Sequence, residues 1–417
     1  MTKLEKILFY VFLFLIPFQI RALIQWNGNE WNSIFFYLTD VLFFLILALW
    51  LKRIKDNKIH KVLGLFITIA FLSVIIGIFV GSGTLAFTYW IRLIMFILLF
   101  TYVSRNKTKE MFVVLAASGV FQSILAIAQF IKQSSLGERG LGVRFIEAGV
   151  FAPGAPGVAT FVTETGEKIM RAYGSFPHPN ILAAFLILSI FCLYFLWFNH
   201  KKLYIIPCLL ITVFALFITF SRTAIVAFIV MSLIMFLLMI KKKQAIKLFG
   251  LFLLACIVSM AILFPLLKAR FLTISLEEQA LDLRFFYNRM AFEMIKQKPL
   301  LGIGVGNFVW HSQSHETFLR AANKMVETVY KESEALPDWI YQPVHNIYLL
   351  IAVEMGLIGL IIFLIILGKF LIKRFTVFSF LFLCFLIIGL MDHYFWTIQP
   401  GGLMFWLSLG LLYEVRS

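Results

Sequence analysis

Charged residues are scarce in this chain of 417 residues. They make up only 14% of it, whereas 61% of the residues are hydrophobic. A soluble domain carries roughly 25% charged residues, so the composition excludes a soluble fold. Apolar runs of about eighteen residues recur along the whole chain, and each is long enough to cross the ~30 Å hydrocarbon core of a bilayer as a helix.

Cysteines and acidic residues are also few, and their positions exclude two kinds of site. All four cysteines fall inside apolar runs, where cysteine behaves as a small hydrophobic residue. Their spacing predicts neither a disulfide framework nor a metal site. The predicted outer loops contain no cluster of carboxylates with metal-ligand spacing, so we expect no metal and no cofactor.

Hydropathy predicts an all-α polytopic membrane protein with about twelve transmembrane helices, forming one integral membrane domain over residues 1–417. We expect the helices at residues 7–24, 34–51, 62–80, 85–103, 111–131, 180–198, 203–220, 222–240, 247–267, 346–368, 374–391 and 397–413.

The short connections between these helices alternate in charge. One set is basic and reads KRIKDNKIHK, SRNKTKE, HKK, KKKQAIK and KFLIKR, while the opposite set holds almost no lysine or arginine. By the positive-inside rule, the basic connections and both termini are predicted to be cytoplasmic. The net charge of +16 therefore mostly reflects topology. We expect membrane lipids, and no nucleic acid, as the partner of these lysines.

Two long connections are predicted to lie outside the membrane. The first spans residues 132–178, and the second spans residues 268–344 and joins the ninth helix to the tenth. Loops of this length in a compact fold are usually functional or disordered, and both mix aromatic with charged residues. The second contains DLRFFYNRMAFEMIKQKP, a predicted amphipathic helix. The residues expected to lie along the membrane surface are Leu283, Phe286, Met290 and Ile295.

Arginines in and beside these outer segments are candidates for anion binding. Arg222, in TFSRTAIVAF, lies between two apolar runs, so it either binds an anion such as phosphate or extends to the outer boundary. Arg171, in RAYGSFPHPN, is a weaker candidate, and its alternative is a solvated loop arginine. Arg284 and Arg289 share one predicted helix, and we expect at most one of them to face the site.

A histidine at the start of an apolar run is the candidate for proton transfer. His345, in YQPVHNIYLLIAVEMGLIGL, either accepts a proton from an attacking hydroxyl or caps the helix that follows. Its neighbour Asn346 is expected to orient a substrate or the loop. Glu354 is a candidate polar partner for another helix, and Gly356 and Gly359 are expected to admit a neighbouring helix.

Three further motifs have simpler interpretations. His311 and His315 in HSQSHE have a metal-capable spacing but no third ligand, so a solvated loop is favoured. GIGVGNF superficially matches a phosphate-binding glycine loop, but it lacks the strand and βαβ unit that such a loop requires. Asp392 and His393 in MDHYFWTIQP lie at the outer end of a span, where they either line the site or pack among interfacial aromatics.

The segment HNIYLLIAVEMGLIG is similar to the signature of the O-antigen ligase superfamily, in which His-Asn is followed by two spaced glycines. RAYGSFPHPN, TFSRTA and DLRFFYNRMAFEMIKQKPLLGIGVGNF resemble further segments of that family in the same order, so the resemblance spans residues 171–359. It implies a GT-C-like, metal-independent glycosyltransferase of the bacterial cytoplasmic membrane. Such an enzyme moves a glycan from polyprenyl (undecaprenyl) pyrophosphate to an acceptor hydroxyl on the outer face, in surface polysaccharide ligation or polymerisation.

By matching segments, the resemblance implies that His345 is the base or positions the acceptor. It implies that Arg222 and Arg284 hold the pyrophosphate, with Arg171 as a third candidate. The resemblance does not decide whether the acceptor is a saccharide, a lipid or a protein. After Gly359 the chain reads LIIFL, whereas lipopolysaccharide ligases are associated with a threonine-and-glycine extension there. One alternative is a transporter or flippase. Many transporters are built from two related halves, but the two halves of this chain share no matching segments. The other alternative is an inactive family member that acts as a scaffold.

Overall fold

The computed structural model describes residues 1–53, 61–136, 152–155, 157–200, 202–272, 277–330, 340–371 and 375–413. The basic connection at 52–61 and the two long predicted loops lie partly outside these ranges. The helices are α1 (Lys3–Leu15), α2 (Leu38–Arg53), α3 (Lys61–Val80), α4 (Gly83–Arg105), α5 (Lys109–Lys132), α6 (Pro179–His200), α7 (Ile205–Ile218), α8 (Arg222–Met239), α9 (Lys243–Leu272), α10 (Glu277–Gln297), α11 (Phe308–Ser314), α12 (Glu316–Tyr330), α13 (Ile347–Leu371), α14 (Val377–Gly389), α15 (Tyr394–Thr397) and α16 (Gln399–Leu412).

The helices confirm a polytopic membrane protein. Within the described ranges, seven helices are long and apolar enough to cross a membrane by length and composition, namely α3, α4, α5, α6, α8, α9 and α13. Helices α7 and α14 are apolar but shorter. Each of the twelve predicted spans coincides with a helix, yet the count of twelve crossings is not confirmed.

The first two predicted spans are wrong at their outer ends. Helix α1 stops at Leu15, because Pro17 has no backbone N–H to continue the hydrogen-bond ladder. Residues 21–25 instead form a strand, β1 (Arg21–Gln25), which pairs antiparallel with β2 (Ile34–Tyr37). A second small hairpin joins β3 (Thr160–Val162) to β4 (Lys168–Met170), which lies shortly before α6.

Helix α6 forms the centre of the core. Its side chains are buried from Ile181 to Leu193, because α5, α7, α8 and α14 pack around it. Aliphatic and aromatic side chains cover its whole surface, which is typical of a helix that is surrounded by other helices. Its first residues, Pro179 and Asn180, are thereby held in a fixed position beside the start of α8 and the segment before α15.

Helix α10 forms, but its apolar face packs against protein instead of lying along the membrane as expected. Met290 is buried, and Leu283, Phe286 and Ile295 pack around the same cluster, which includes residues of α13. The burial arises because α10 lies alongside α13. The side chains exposed on the opposite face include Phe285.

Helix α13 is broken at Gly356, where φ is 70° and ψ is 179°. A Cβ at this position would lie 2.1 Å from the carbonyl oxygen of Leu300, so the residue must be glycine to admit that backbone. The expectation that Gly356 admits a neighbouring helix is therefore wrong. It admits the loop after α10, and the Leu357 amide donates to the Pro299 carbonyl (2.8 Å).

The same loop accounts for Glu354. One carboxylate oxygen accepts the Phe308 amide (3.5 Å), and the other accepts the indole N–H of Trp396 (2.8 Å). The backbone carbonyl of Glu354 accepts the Gly304 amide (3.0 Å). Glu354 thus binds the glycine-rich segment as well as a neighbouring aromatic residue, and it stabilises the broken part of α13.

Candidate functional site

Polar residues from five segments converge where α6, α8 and α13 begin, on the side that topology predicts to be outside. Arg171 and Asn180 lie before and at the start of α6, and Arg222 is the first residue of α8. His345 comes two residues before α13. Asp392 lies between α14 and α15. The ends of helices carry backbone N–H and C=O groups that polar side chains can bind. The charged side chains are therefore held close together where these helices begin.

Arg171 is buried, and its guanidinium donates hydrogen bonds to two neighbouring residues. Its Nε donates to the Thr219 carbonyl (2.7 Å), and its Nη2 donates to Oδ1 of Asn180 (2.6 Å). Burial, together with the positive charges of Arg270 and Arg222, lowers the pKa of Arg171 to about 9. Two further guanidinium groups therefore lie within electrostatic range of Arg171, and this concentration of positive charge favours a bound anion.

The turn before α8 holds two of these arginines in place. Phe220 has a left-handed backbone with φ of 48°, an arrangement that costs a non-glycine residue about 1–2 kcal/mol. Its carbonyl accepts the Nε of Arg270 (3.5 Å), next to the Thr219 carbonyl that Arg171 binds. The turn ends at Arg222, which is half-buried. This strained turn brings the carbonyls and the three cations together.

Asn180 connects this cationic group to a carboxylate. Its Oδ1 accepts Arg171, and its Nδ2 donates to Oδ2 of Asp392 (2.8 Å). Asn180 is the second residue of α6 and bridges two side chains, so it does not cap that helix. Asp392 is buried, and its other oxygen accepts the His393 amide (2.9 Å). Asp392 and His393 thus lie beside this group, and His393 also packs edge-to-face on Trp31 (ring centroids 5.1 Å apart), so both sequence interpretations stay predictions.

His345 lies between aromatic rings at this same position. Its ring centroid is 4.9 Å from that of His393, nearly perpendicular to it, and 5.9 Å from that of Tyr287. Its Nδ1 is buried beside the Pro343 carbonyl, and no described residue forms a well-aligned hydrogen bond with it. The residue as a whole is half-buried.

The electrostatic surroundings of His345 favour a neutral imidazole. Burial lowers its pKa below the ordinary value, the carboxylate of Asp392 opposes this shift, and the charge of Arg284 adds to it. A neutral imidazole is the form that accepts a proton. Two more buried histidines lie nearby, because burial also lowers the pKa of His393, and it lowers that of His178 to about 3.

The residue that caps α13 is Asn346. Its Oδ1 accepts the backbone amides of Tyr348 (2.9 Å) and Leu349 (3.1 Å), which is the usual geometry of a helix N-cap. This geometry disfavours the interpretation of His345 as a structural cap. The side chain of Asn346 is engaged with backbone, so it fixes the position of His345, while its predicted contact with substrate stays a prediction.

The two arginines of α10 differ in their surroundings. Arg284 is half-buried and within electrostatic range of His345, whereas Arg289 is exposed. This difference agrees with the expectation that at most one of the pair faces the site. The structure thus groups Arg284 with His345, and Arg222 with Arg171.

Two residues of the site were missed from the sequence. Arg270 was assigned to a loop, because the ninth predicted span ended at residue 267, whereas α9 continues to Leu272. His178 was not considered as a candidate, yet it lies just before α6, and its Nδ1 accepts the Asn180 amide (3.2 Å). The sequence feature that could have identified both residues is their position beside long apolar runs. Arg270 ends a long apolar run, and His178 immediately precedes one.

The pair His311 and His315 is engaged within its own part of the chain. Their rings lie 5.2 Å apart, and the ring of His315 contacts Gln297 (3.1 Å) and the amide of Phe318 (3.2 Å). Among the residues that the structure describes, no group of three or more histidine, cysteine or acidic side chains is arranged to hold a metal ion.

An open apolar groove of about 500 Å³ lies between α13 and α14. It begins at Tyr348, one turn of helix from His345, and continues along leucines that include Leu360, Leu364 and Leu386. Its walls are almost entirely aliphatic. The groove is therefore chemically suited to an acyl or prenyl chain whose polar end reaches the start of α13.

Comparison with known proteins gives one match. Residues 207–364 match a family model described as O-antigen ligase. The matched segment contains Arg222, Arg284 and His345, whereas Arg171 and Asp392 lie outside it. No curated protein and no solved structure matches the chain.

Proposed function

We propose that this membrane protein is a metal-independent glycosyltransferase, because residues 207–364 match a family model described as O-antigen ligase, which confirms the resemblance found in the sequence. It takes a glycan from a polyprenyl pyrophosphate donor, and undecaprenyl is the lipid expected. It transfers the glycan to an acceptor hydroxyl on the outer face of the bacterial cytoplasmic membrane. Both termini then lie in the cytoplasm.

The observation that carries this proposal is the pairing of clustered cations with a neutral imidazole. Arg171, Arg222 and Arg270 surround one turn, and the Asn180–Asp392 bridge links that turn to the side of His345. Fixed cations stabilise an anionic leaving group without a metal, because they are already oriented when the charge develops. The arrangement is what transfer from a pyrophosphate requires.

In this proposal, Arg222 and Arg284 bind the pyrophosphate. Arg171, which is bound to the Thr219 carbonyl, adds positive charge nearby. The guanidinium fork matches phosphate oxygens in a bidentate manner, which a lysine cannot reproduce. The polyprenyl chain occupies the groove between α13 and α14, so the donor reaches the site from within the bilayer.

His345 acts on the acceptor. As the acceptor hydroxyl attacks the anomeric carbon, its oxygen forms the new glycosidic bond, and the bond from that carbon to the pyrophosphate oxygen breaks. The hydroxyl proton passes to the imidazole, and polyprenyl pyrophosphate leaves as the anion that the arginines stabilise. General-base assistance of this kind typically contributes about 10²–10⁴-fold to the rate.

The two arginines of α10 offer a matched test. Arg284→Lys should reduce both donor binding and transfer, because the bidentate contact is lost, whereas the exposed Arg289→Lys should leave both unchanged. Binding and transfer are measured with purified lipid-linked glycan and protein in nanodiscs. Equal activity of the two variants would contradict the assignment of Arg284, and a protein that only moves lipid-linked glycan across the bilayer would form no transfer product.

A chelator tests metal independence. We expect transfer to continue in excess EDTA, because the arginines supply the positive charge that a divalent ion otherwise provides. Complete loss of transfer, restored by Mg²⁺ or Mn²⁺, would contradict this mechanism.

The glycan profile of a deletion strain distinguishes the two branches of the proposed function. Loss of chain-length ladders would identify a polymerase. Loss of attachment with accumulation of lipid-linked polymer would identify a ligase.

A further inference from the structure

The glycine-rich segment after α10 lies well below the outer ends of the helices that surround it. The amide of Val305 donates to Oγ of Ser73 (2.9 Å), seven residues before α3 ends at Val80. At 1.5 Å per residue, this contact lies about 10 Å below that end. The Pro299 carbonyl binds the Leu357 amide, ten residues into α13, or about 15 Å from its start.

The outer end of α3 itself belongs in hydrocarbon. Phe79 is 81% exposed, and the helix has 20 residues, a length that just spans a core of ~30 Å. An exposed phenylalanine at the last turn is stable in acyl chains and unfavourable in water. Ser73 is therefore inside the bilayer, and so is the loop that binds it.

Backbone can lie at this depth only when its polar groups are bound by protein. The amides of Ile303 and Gly304 donate to the carbonyls of Val353 and Glu354, both at 3.0 Å. The break at Gly356 leaves these carbonyls without their usual partners within the helix, so loop and helix satisfy each other. The segment thus meets the requirement for irregular structure within a membrane.

The exposed face of α10 is amphipathic, because it carries two aromatic rings together with the charged side chains of Arg289 and Lys296. Phe285 is 69% exposed and Phe292 is 53% exposed, and their seven-residue spacing puts them on one side of the helix. Leu300, at the start of the loop, is 63% exposed. Lys298 lies within electrostatic range of His311, which is beside the Val80 backbone, so its side chain extends from the start of the loop towards the level where α3 ends.

We propose that residues 299–306 form a re-entrant loop in the outer leaflet, and that Phe292 and Leu300 contact lipid acyl chains. Lys298 then lies near the lipid headgroups, whose phosphates it can bind. The connection predicted outside the membrane, at residues 268–344, is thus in part a membrane-inserted element. This inference does not depend on the proposed glycosyl transfer.

Spin labels at two exposed positions test the inference. In the full chain with its four cysteines replaced by alanine, a label at Leu300→Cys should collide readily with oxygen and rarely with a water-soluble nickel chelate in nanodiscs. A label at Glu316→Cys, an exposed position of α12, should show the reverse. Nickel accessibility at Leu300 equal to that at Glu316 would overturn the proposal.

A measurement on the unaltered chain removes any dependence on those substitutions. Lipids with a diazirine in the acyl chain should label Leu300 and Phe292 on irradiation, and mass spectrometry locates the adducts. Ile361, an exposed residue of α13, serves as the positive control. Labelling of Ile361 with none at Leu300 or Phe292 would contradict membrane insertion.

Discussion

His345 and Glu354 are two ionisable residues near the start of α13, and their surroundings differ. Glu354 is buried, and its carboxylate accepts the Phe308 amide and the Trp396 indole. His345 is half-buried, and its ring is held between the rings of Tyr287 and His393. The carboxylate is thus bound by hydrogen bonds from the fold, whereas the imidazole is held by ring contacts and is in part open to a substrate.

This difference separates structural from chemical roles. A buried polar group that is satisfied by the fold contributes to stability, and losing it leaves its partners unpaired at a cost of about 1–3 kcal/mol. A polar group with spare capacity at a boundary contributes little to the fold and is available for a substrate. The predictions below follow from that distinction.

The largest effect is expected for His345→Ala. Transfer from lipid-linked glycan should fall by about 10²–10⁴-fold, because the acceptor hydroxyl loses its base. Thermal unfolding of the purified protein should change little, since Asn346 still caps α13. Transfer at the unaltered rate would exclude His345 as the base, and failure to bind donor would indicate a different defect.

A smaller but clear effect on stability is expected at the break in α13. Gly356→Ala should lower the unfolding temperature, because a positive φ costs alanine about 1–2 kcal/mol and its Cβ meets the Leu300 backbone. Gly368→Ala is the matched control, since this glycine of the same helix has no atom near an added Cβ. Equal unfolding temperatures for the two variants would refute the role assigned to Gly356.

The smallest predicted effect is on the pH dependence of transfer. Because burial lowers the pKa of His345 and only the neutral ring accepts a proton, transfer should decline on acidification only below the ordinary histidine pKa of about 6.5. The carboxylate of Asp392 raises that pKa, so Asp392→Asn should move the decline to still lower pH. A shift towards higher pH in the pH–rate profile would reverse the assigned sign.

The sequence predicted the helices well because apolar runs of this length leave few alternatives. All twelve predicted spans overlap helices, and His345 and Arg222 lie where helices begin, as their positions beside apolar runs predicted. The predictions were wrong where a short segment is compatible with two different structures. Pro17 ends α1 early, and the apolar residues that follow it form a strand, since apolar character alone does not distinguish the two.

Tertiary contacts account for what the sequence did not predict. Asn180 fits a helix cap by its position, but Arg171 and Asp392 on either side convert it into a bridge. Gly356 fits a helix-packing glycine, but the Leu300 backbone and a positive φ determine its identity. In each case the partner is distant in sequence or comes from a loop whose path hydropathy does not specify.

The most direct test measures transfer and thermal stability for His345→Asn and Glu354→Gln at matched membrane levels. The account predicts that His345→Asn keeps its stability and loses transfer. It predicts that Glu354→Gln loses stability, because the new amide N–H₂ meets the Phe308 amide or the Trp396 indole, but retains transfer per folded molecule. An active His345→Asn protein, or a stable Glu354→Gln protein without transfer, would contradict it.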